Sequence, residues 1–197
     1  MGGVLLKGTV ETVVEKVAQV LEIGFTKKNL MDIGYREALV GKPFSEILLK
    51  LKQVYQLAQS IEELTNIWTE SYLQVMVLNK ELLQFIQQLK QQNYQVALIS
   101  NLNTLHQQIN EERGKIFELF DPCVLSCEKD VAAAKPAKDI FEYALNQLPN
   151  GVKASECIFI DDREKNLLPA KELGFTTIHY TSNAQLIKEL GVLGVSI

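Results

Sequence analysis

Three short polar groups stand at the ends of apolar runs: Ser100-Asn101 closing "VALISN", Lys135-Pro136 in "AAAKPAKD", and Asp161-Asp162 closing "CIFIDD". Two adjacent carboxylates after a buried run repel each other, and desolvating them is costly without a cation or hydrogen-bond donors nearby. Hard oxygen ligands of this kind suit Mg2+, which keeps part of its water shell and shares an oxygen with a phosphate. A plainer alternative has one Asp capping the next helix while the other is solvated. Pro136 fits the first turn of a helix, which leaves Lys135 near that helix's N-terminus. A cation there opposes the helix dipole, and an anion held by both relieves the conflict. Ser100 and Asn101 offer a hydroxyl and an amide at another strand-to-helix turn, where free N–H groups attract phosphate or an ordinary cap suffices. Taken together on one sheet edge, a carboxylate pair, a lysine and a hydroxyl describe a magnesium-phosphate site.

The elements that must position these groups follow from the apolar rhythm. From Thr9 to about Val77 the period is helical, with Val10, Val13, Val14, Val17, Val20 and Leu21 on one stripe. Ser60 and Glu63 have capping-box spacing before "IEELTNIW". Trp68 and Tyr72 fall inside this helical part. After Asn79 short apolar runs alternate with helical segments, which predicts strands at 94–99, 124–126, 157–160 and 177–180 in a parallel sheet. Ligands of such sheets bind beyond the carboxyl ends of the strands, where all three polar groups lie. The fold class expected is α/β, a Rossmann-like parallel core of residues 1–8 and 78–197. A helical cap, residues 9–77, is inserted near the N-terminus.

A net charge of -4 in 197 residues gives no basic footprint, so nucleic acid is not an expected partner. No apolar run approaches the ~18 residues that span a bilayer, and the first residues lack a secretory pattern. The three cysteines, Cys123, Cys127 and Cys157, are too few and too irregular for a disulfide framework or zinc site. They read as buried small hydrophobes in a reducing cytoplasm.

The order of motifs resembles the haloacid dehalogenase superfamily, with "LISN", "KPAKDIF" and "FIDDREKN" as its second, third and fourth motifs. The run "LISNLNTLHQQ" is most similar to the glucose-1-phosphatase-like branch, related to the N-terminal phosphatase domain of soluble epoxide hydrolases. The resemblance implies a Mg2+-dependent phosphatase of small phosphorylated metabolites, sugar phosphates above all, acting through an aspartyl-phosphate. By the same resemblance Ser100 and Asn101 hold the phosphoryl group, Lys135 neutralises its charge, and Asp161 and Asp162 hold Mg2+. His106 follows the Ser100 turn, where the branch often has His at the edge of the site; His179 reads as structural.

In this family the nucleophilic Asp closes the first, central strand, and Met1-Gly2-Gly3-Val4 matches the positions after it. The resemblance therefore places the nucleophile one residue before Met1 and leaves the first strand out of this sequence. Residues 1–6 are expected to be frayed or displaced beside a gap in the sheet, and the 197-residue chain to be inactive. Two other readings stay open: a non-catalytic phosphate-binding or interaction protein, and a metal-independent haloacid dehalogenase. Departures from the family pattern are the long "SCEKDVAAAKP" segment, the single proline of "KPAKD", and Gly2 where many relatives carry an acid/base Asp.

Overall fold

The valine stripe at the start of the chain winds into α1 (Val10–Leu21), which buries Val13, Val14 and Val17. The Thr9 hydroxyl caps it by accepting from the Thr12 amide. Four further helices follow: α2 (Lys27–Asp32), α3 (Tyr35–Ala38), α4 (Phe44–Tyr55) and α5 (Ile61–Val75). At the start of α5 the Glu63 N–H donates to Ser60 Oγ (3.1 Å), and the Ser60 N–H donates to Glu63 Oε2 (2.7 Å). This is the reciprocal cap that the spacing predicts. A computed structural model describes residues 1–149 and 151–195, and it has no strand within 9–77.

Beyond Asn79 helices and strands alternate: α6 (Lys80–Gln91), β1 (Leu98–Ser100), α7 (Thr104–Glu112), β2 (Cys123–Leu125), α8 (Lys138–Asn146), β3 (Ile158–Asp161), α9 (Glu164–Glu172), β4 (Thr176–His179) and α10 (Asn183–Val192). β1 runs parallel to β2, and β3 parallel to β4. Three strands lie within one residue of the predicted bounds. The first is shorter, starting at Leu98 rather than 94. Its ladder begins where Leu98 N–H donates to the Pro122 carbonyl (2.9 Å); Pro122 has no N–H to give, and upstream the Asp121 N–H donates to the Val96 carbonyl (2.9 Å) instead, out of the ladder's register.

The strands form two half-sheets, β1-β2 and β3-β4, with no ladder joining β1 to β3, an interruption of the kind expected where the first, central strand is left out. Successive strand residues point to opposite faces, and two apolar clusters form accordingly. Leu98, Leu125 and Ile178 pack with Leu82 and Phe85 of α6, Leu186 and Leu190 of α10, and the N-terminal helices. Val124 and Phe159 pack with Ile140, Phe141 and Ala144 of α8 and Ala170 of α9.

Residues 1–6 are not frayed. Leu6 N–H donates to the Met1 carbonyl (3.0 Å), Gly3 N–H to the Leu6 carbonyl (2.7 Å), and Asn79 N–H to the Leu5 carbonyl (2.9 Å). Gly3 makes this tight turn at φ +82°, a conformation natural only to glycine. Met1, Leu5 and Leu6 are all buried, so the gain from hiding them holds the turn in place. The cysteines also differ from expectation: only Cys127 is buried, while Cys123 and Cys157 are half-buried at the ends of their strands. All three are free.

The N-terminal helices meet the α/β part through His106 of α7. Trp68 Nε1 donates to His106 Nε2 (2.9 Å), Asn103 Nδ2 lies 3.2 Å from His106 Nδ1, and Tyr72 packs on the ring at 4.2 Å between centroids. Burial pushes the imidazole down to about 3. The unfolded chain takes up this proton near pH 6.5 and the folded one only near pH 3. The associated stability is therefore complete above about pH 6.5 and is lost as the pH falls toward 3. Between pH 7 and pH 5 the wild type should lose about 2 kcal/mol that His106→Gln, which keeps an acceptor for Trp68, does not lose. Urea unfolding at the two pH values measures this; equal losses in both proteins would refute it.

Candidate active site

Two strand ends and one loop build the site. β1 ends at Ser100 and β3 at Asp161, and Lys135 reaches both from the loop before α8. Lys135 Nζ donates to Asp161 Oδ2 (2.6 Å) and to the Ile99 carbonyl (2.8 Å), and it stands 5.4 Å from the Phe159 ring centroid. Both charged side chains are almost wholly buried. Asn101 fixes the lysine's own backbone: its Nδ2 donates to the Lys135 carbonyl (2.8 Å), and Lys135 N–H donates to its Oδ1 (2.8 Å). The Asn101 side chain is thereby committed to positioning, which sequence spacing did not show.

Asp161 is held from the other side by Asn166 Nδ2 (2.8 Å) and the Arg163 N–H (2.9 Å), both donating to Oδ1. Burial alone would raise its carboxyl. The charge and hydrogen bond of Lys135, with the donors Asn166 and Arg163, outweigh burial and hold it below the usual carboxylate range. Asn166 has no role in the sequence reading, although it lies within "FIDDREKN". Its position in the first turn of α9, five residues after Asp161, lets the amide fold back onto the carboxylate.

Pro136 lies outside α8, which starts at Lys138 with Ala137 as its N-cap. A carbonyl and a carboxylate therefore hold Lys135, with no helix dipole opposing it. The Ser100 hydroxyl is buried and has no hydrogen-bond partner. An orphaned hydroxyl at a strand end is a donor awaiting an acceptor. The Asp162 carboxylate stands against Gly3, where an added Cβ would collide with it, and 4.0 Å from Arg163 Nε. His179 Nε2 lies 3.1 Å from the Asp162 carbonyl, so His179 supports the strand end.

The Met1 α-amino group is buried beside Lys135, Asp161 and Asp162. Burial and then the Lys135 charge push it down to about 5, against the pull of the two aspartates. Met1, Asn101, Lys135, Asp161 and Asp162 line one cavity of about 590 Å³, which Tyr35 and Arg36 of α3 border from the helical part. His106 reaches the same cavity, but both of its ring nitrogens are engaged.

Among the described residues no three His, Cys, Asp or Glu side chains gather closely enough to enclose a metal ion. Asp161 and Asp162 nonetheless fit the way Mg2+ is commonly held, by one or two carboxylates with waters and a substrate phosphate completing the shell. Ser100 is fully buried and is not among the residues that line this cavity. Among the described residues no helix is long and apolar enough to cross a membrane.

Residues 3–180 match the family model described as haloacid dehalogenase-like hydrolase. The chain is 28% identical over 118 residues to bifunctional epoxide hydrolase 2 of Rattus norvegicus, covering 57% of this chain and 20% of that protein. It is 30% identical over 107 residues to D-ribitol-5-phosphate phosphatase of Bacteroides thetaiotaomicron, covering 51% and 50%. It thus spans a fifth to a half of these relatives' lengths. A haloacid dehalogenase-family enzyme from Bacteroides thetaiotaomicron, solved with magnesium and inorganic phosphate, superposes with a TM-score of 0.76 at 22% identity, over 93% of this chain and 92% of that one. At that identity the likeness shows the fold alone.

The buried pair makes a direct prediction. Lys135→Met and Asp161→Asn should each cost about 3–5 kcal/mol, because each leaves an unmatched buried group. The double variant should lose much less than the sum. Denaturant unfolding of all four proteins tests this, and strict additivity would contradict it.

Proposed function

The chain belongs to the haloacid dehalogenase-like hydrolases, and from that premise we propose that it forms the phosphate- and magnesium-binding part of a phosphomonoesterase for small phosphorylated metabolites such as sugar phosphates. The observation that carries the reading is the buried Lys135–Asp161 pair, with the unpartnered Ser100 hydroxyl and the Asp162 carboxylate at the same sheet edge. The relative named as a D-ribitol-5-phosphate phosphatase supports the substrate class, and the neighbour solved with magnesium supports the metal.

In this reading Asp161 and Asp162 hold Mg2+, which supplies charge neutralisation at the phosphoryl oxygens. Lys135 turns part of its donor capacity from Asp161 to a phosphate oxygen and stabilises charge as the ester bond breaks. The Ser100 hydroxyl donates to a second oxygen. Asn101 keeps the lysine loop in place and offers its backbone N–H. Helices within residues 9–77 serve as a cap over the cavity, excluding water and selecting the substrate. By the family resemblance, the attacking carboxylate is that of the Asp closing the family's first strand, a position that aligns one residue before Met1, while Asp161 is held by Lys135, Asn166 and the Arg163 amide.

The test is phosphate release from a panel of sugar phosphates, with and without Mg2+. It compares the 197-residue chain with a version extended upstream through an apolar strand ending in Asp. The extended protein should turn over only with Mg2+, and Lys135→Met should lower its rate by on the order of a hundredfold or more. The 197-residue chain should give no covalent turnover. Robust magnesium-dependent hydrolysis by the short chain, surviving removal of contaminating phosphatase, would assign the attack to Asp161 or Asp162 and overturn the nucleophile assignment.

A further inference from the structure

The chain carries a net charge of -4, yet five cationic side chains line the cavity of about 590 Å³ against only two carboxylates, Asp161 and Asp162. Three of the five are matched. Lys27 pairs with Glu11 (3.1 Å), Lys135 pairs with Asp161 (2.6 Å), and Arg163 Nε faces Asp162 Oδ2 at 4.0 Å. The other two are Arg36 and Lys165. Among the described residues neither has a carboxylate within 4.0 Å. On an open surface water alone would satisfy them, but both line one concave space.

The two cations come from different parts of the fold. Arg36 belongs to α3, whose place is fixed by its neighbour Tyr35. That side chain is buried, with its hydroxyl accepting from Asn103 Nδ2 (3.4 Å) and its ring edge-on to Phe44 at 6.3 Å. Lys165 lies in the first turn of α9, directly after Arg163 as N-cap and Glu164. Positive charge at a helix N-terminus opposes the dipole, and an anion nearby offsets the conflict. Glu164 turns to His179 instead, 3.7 Å away. Burial raises the Tyr35 hydroxyl and lowers the Met1 amine, and the Arg163 charge is felt at both. Its guanidinium therefore stands near the helical part as well as the sheet edge, so cationic charge runs from one side of the cavity to the other.

In the function proposed above, a divalent metal balances one phosphate dianion. An attacking carboxylate takes up one more positive charge, and of Arg36 and Lys165 one charge is still left over. We propose that the substrate carries a second anionic group, a carboxylate or a second phosphate, which Arg36 holds at the helical side of the cavity with Lys165 beside it. A guanidinium suits either group, because its planar fork donates to two oxygens at once. A neutral sugar monophosphate leaves the extra charge unmatched, whereas a phosphorylated sugar acid or a sugar bisphosphate matches it. The cavity is within the size range of pockets that enclose whole small molecules. The inference rests on the phosphatase reading and narrows its substrate class.

Calorimetric titration of the 197-residue chain in Mg2+ at low ionic strength tests this with two matched pairs and inorganic phosphate. Glucose 1,6-bisphosphate is compared with glucose 1-phosphate, and 6-phosphogluconate with glucose 6-phosphate. In at least one pair the member with the second anion should bind tighter by on the order of tenfold, and the pair that responds tells phosphate from carboxylate. The advantage should shrink in high salt. Arg36→Gln should cut it by about threefold or more, and Arg36→Gln with Lys165→Gln should bring it near one. Equal affinity within both pairs would overturn the proposal, as would an advantage that Arg36→Gln leaves unchanged in folded protein. Inorganic phosphate separates the two levels of the account. Phosphate bound without preference in either pair refutes this inference alone, while no phosphate binding at all removes the phosphatase reading and the inference with it.

Discussion

A lysine and an aspartate buried together fix the arrangement of everything around them. Ion pairs removed from water gain stability only where further hydrogen bonds complete them, and here each partner is completed. Lys135 also donates to the Ile99 carbonyl, and Asp161 also accepts from Asn166 and the Arg163 amide. Those bonds reach β1, the loop before α8, β3 and α9. The pair therefore joins two half-sheets that share no ladder, at the edge where their strands end. Asn101 holds the lysine loop from behind. Loss of either charge leaves the other stranded in an apolar setting, at a cost of about 3–5 kcal/mol.

The same pair is suited to exchange partners. In the function proposed above, an incoming phosphate would take the lysine's donors and a divalent cation would be held by the aspartate, each compensating the charge that the other uncovers. The cavity wall agrees with an anionic guest: Lys27, Arg36, Lys135, Arg163 and Lys165 line it against Asp161 and Asp162. Arg36 comes from the helical part, so the guest's far end meets residues unrelated to the sheet edge. In the function proposed above, the edge would set the chemistry and the helices would set the guest.

Much of this was legible because it depends on local rules. The Ser60–Glu63 cap follows from spacing, and the alternation of apolar runs and helices placed three of the four strands to within a residue. Lys135 and Asp161 stood out because charges at the ends of buried runs need partners. What escaped the sequence is non-local. The N-terminal turn was expected to fray because its strand partners were counted as missing. Met1, Leu5 and Leu6 instead bury themselves against other elements, and Gly3 supplies the turn. Asn101 looked like a ligand group, but its amide closes on the backbone of a residue 34 positions away. The acceptor role of His106 toward Trp68 joins residues 38 apart, and no periodicity encodes that meeting.

The central claim is that the Lys135–Asp161 corner holds an anion and a divalent cation side by side. It can be tested without any turnover, by 31P relaxation of inorganic phosphate in the presence of the protein and Mn2+ as a paramagnetic stand-in for Mg2+. The account predicts strong broadening that requires protein and metal together, is competed by Mg2+, and is lost in both Lys135→Met and Asp162→Asn. Broadening no greater than that of Mn2+ and phosphate without protein, or broadening unchanged by both substitutions in folded protein, would contradict it.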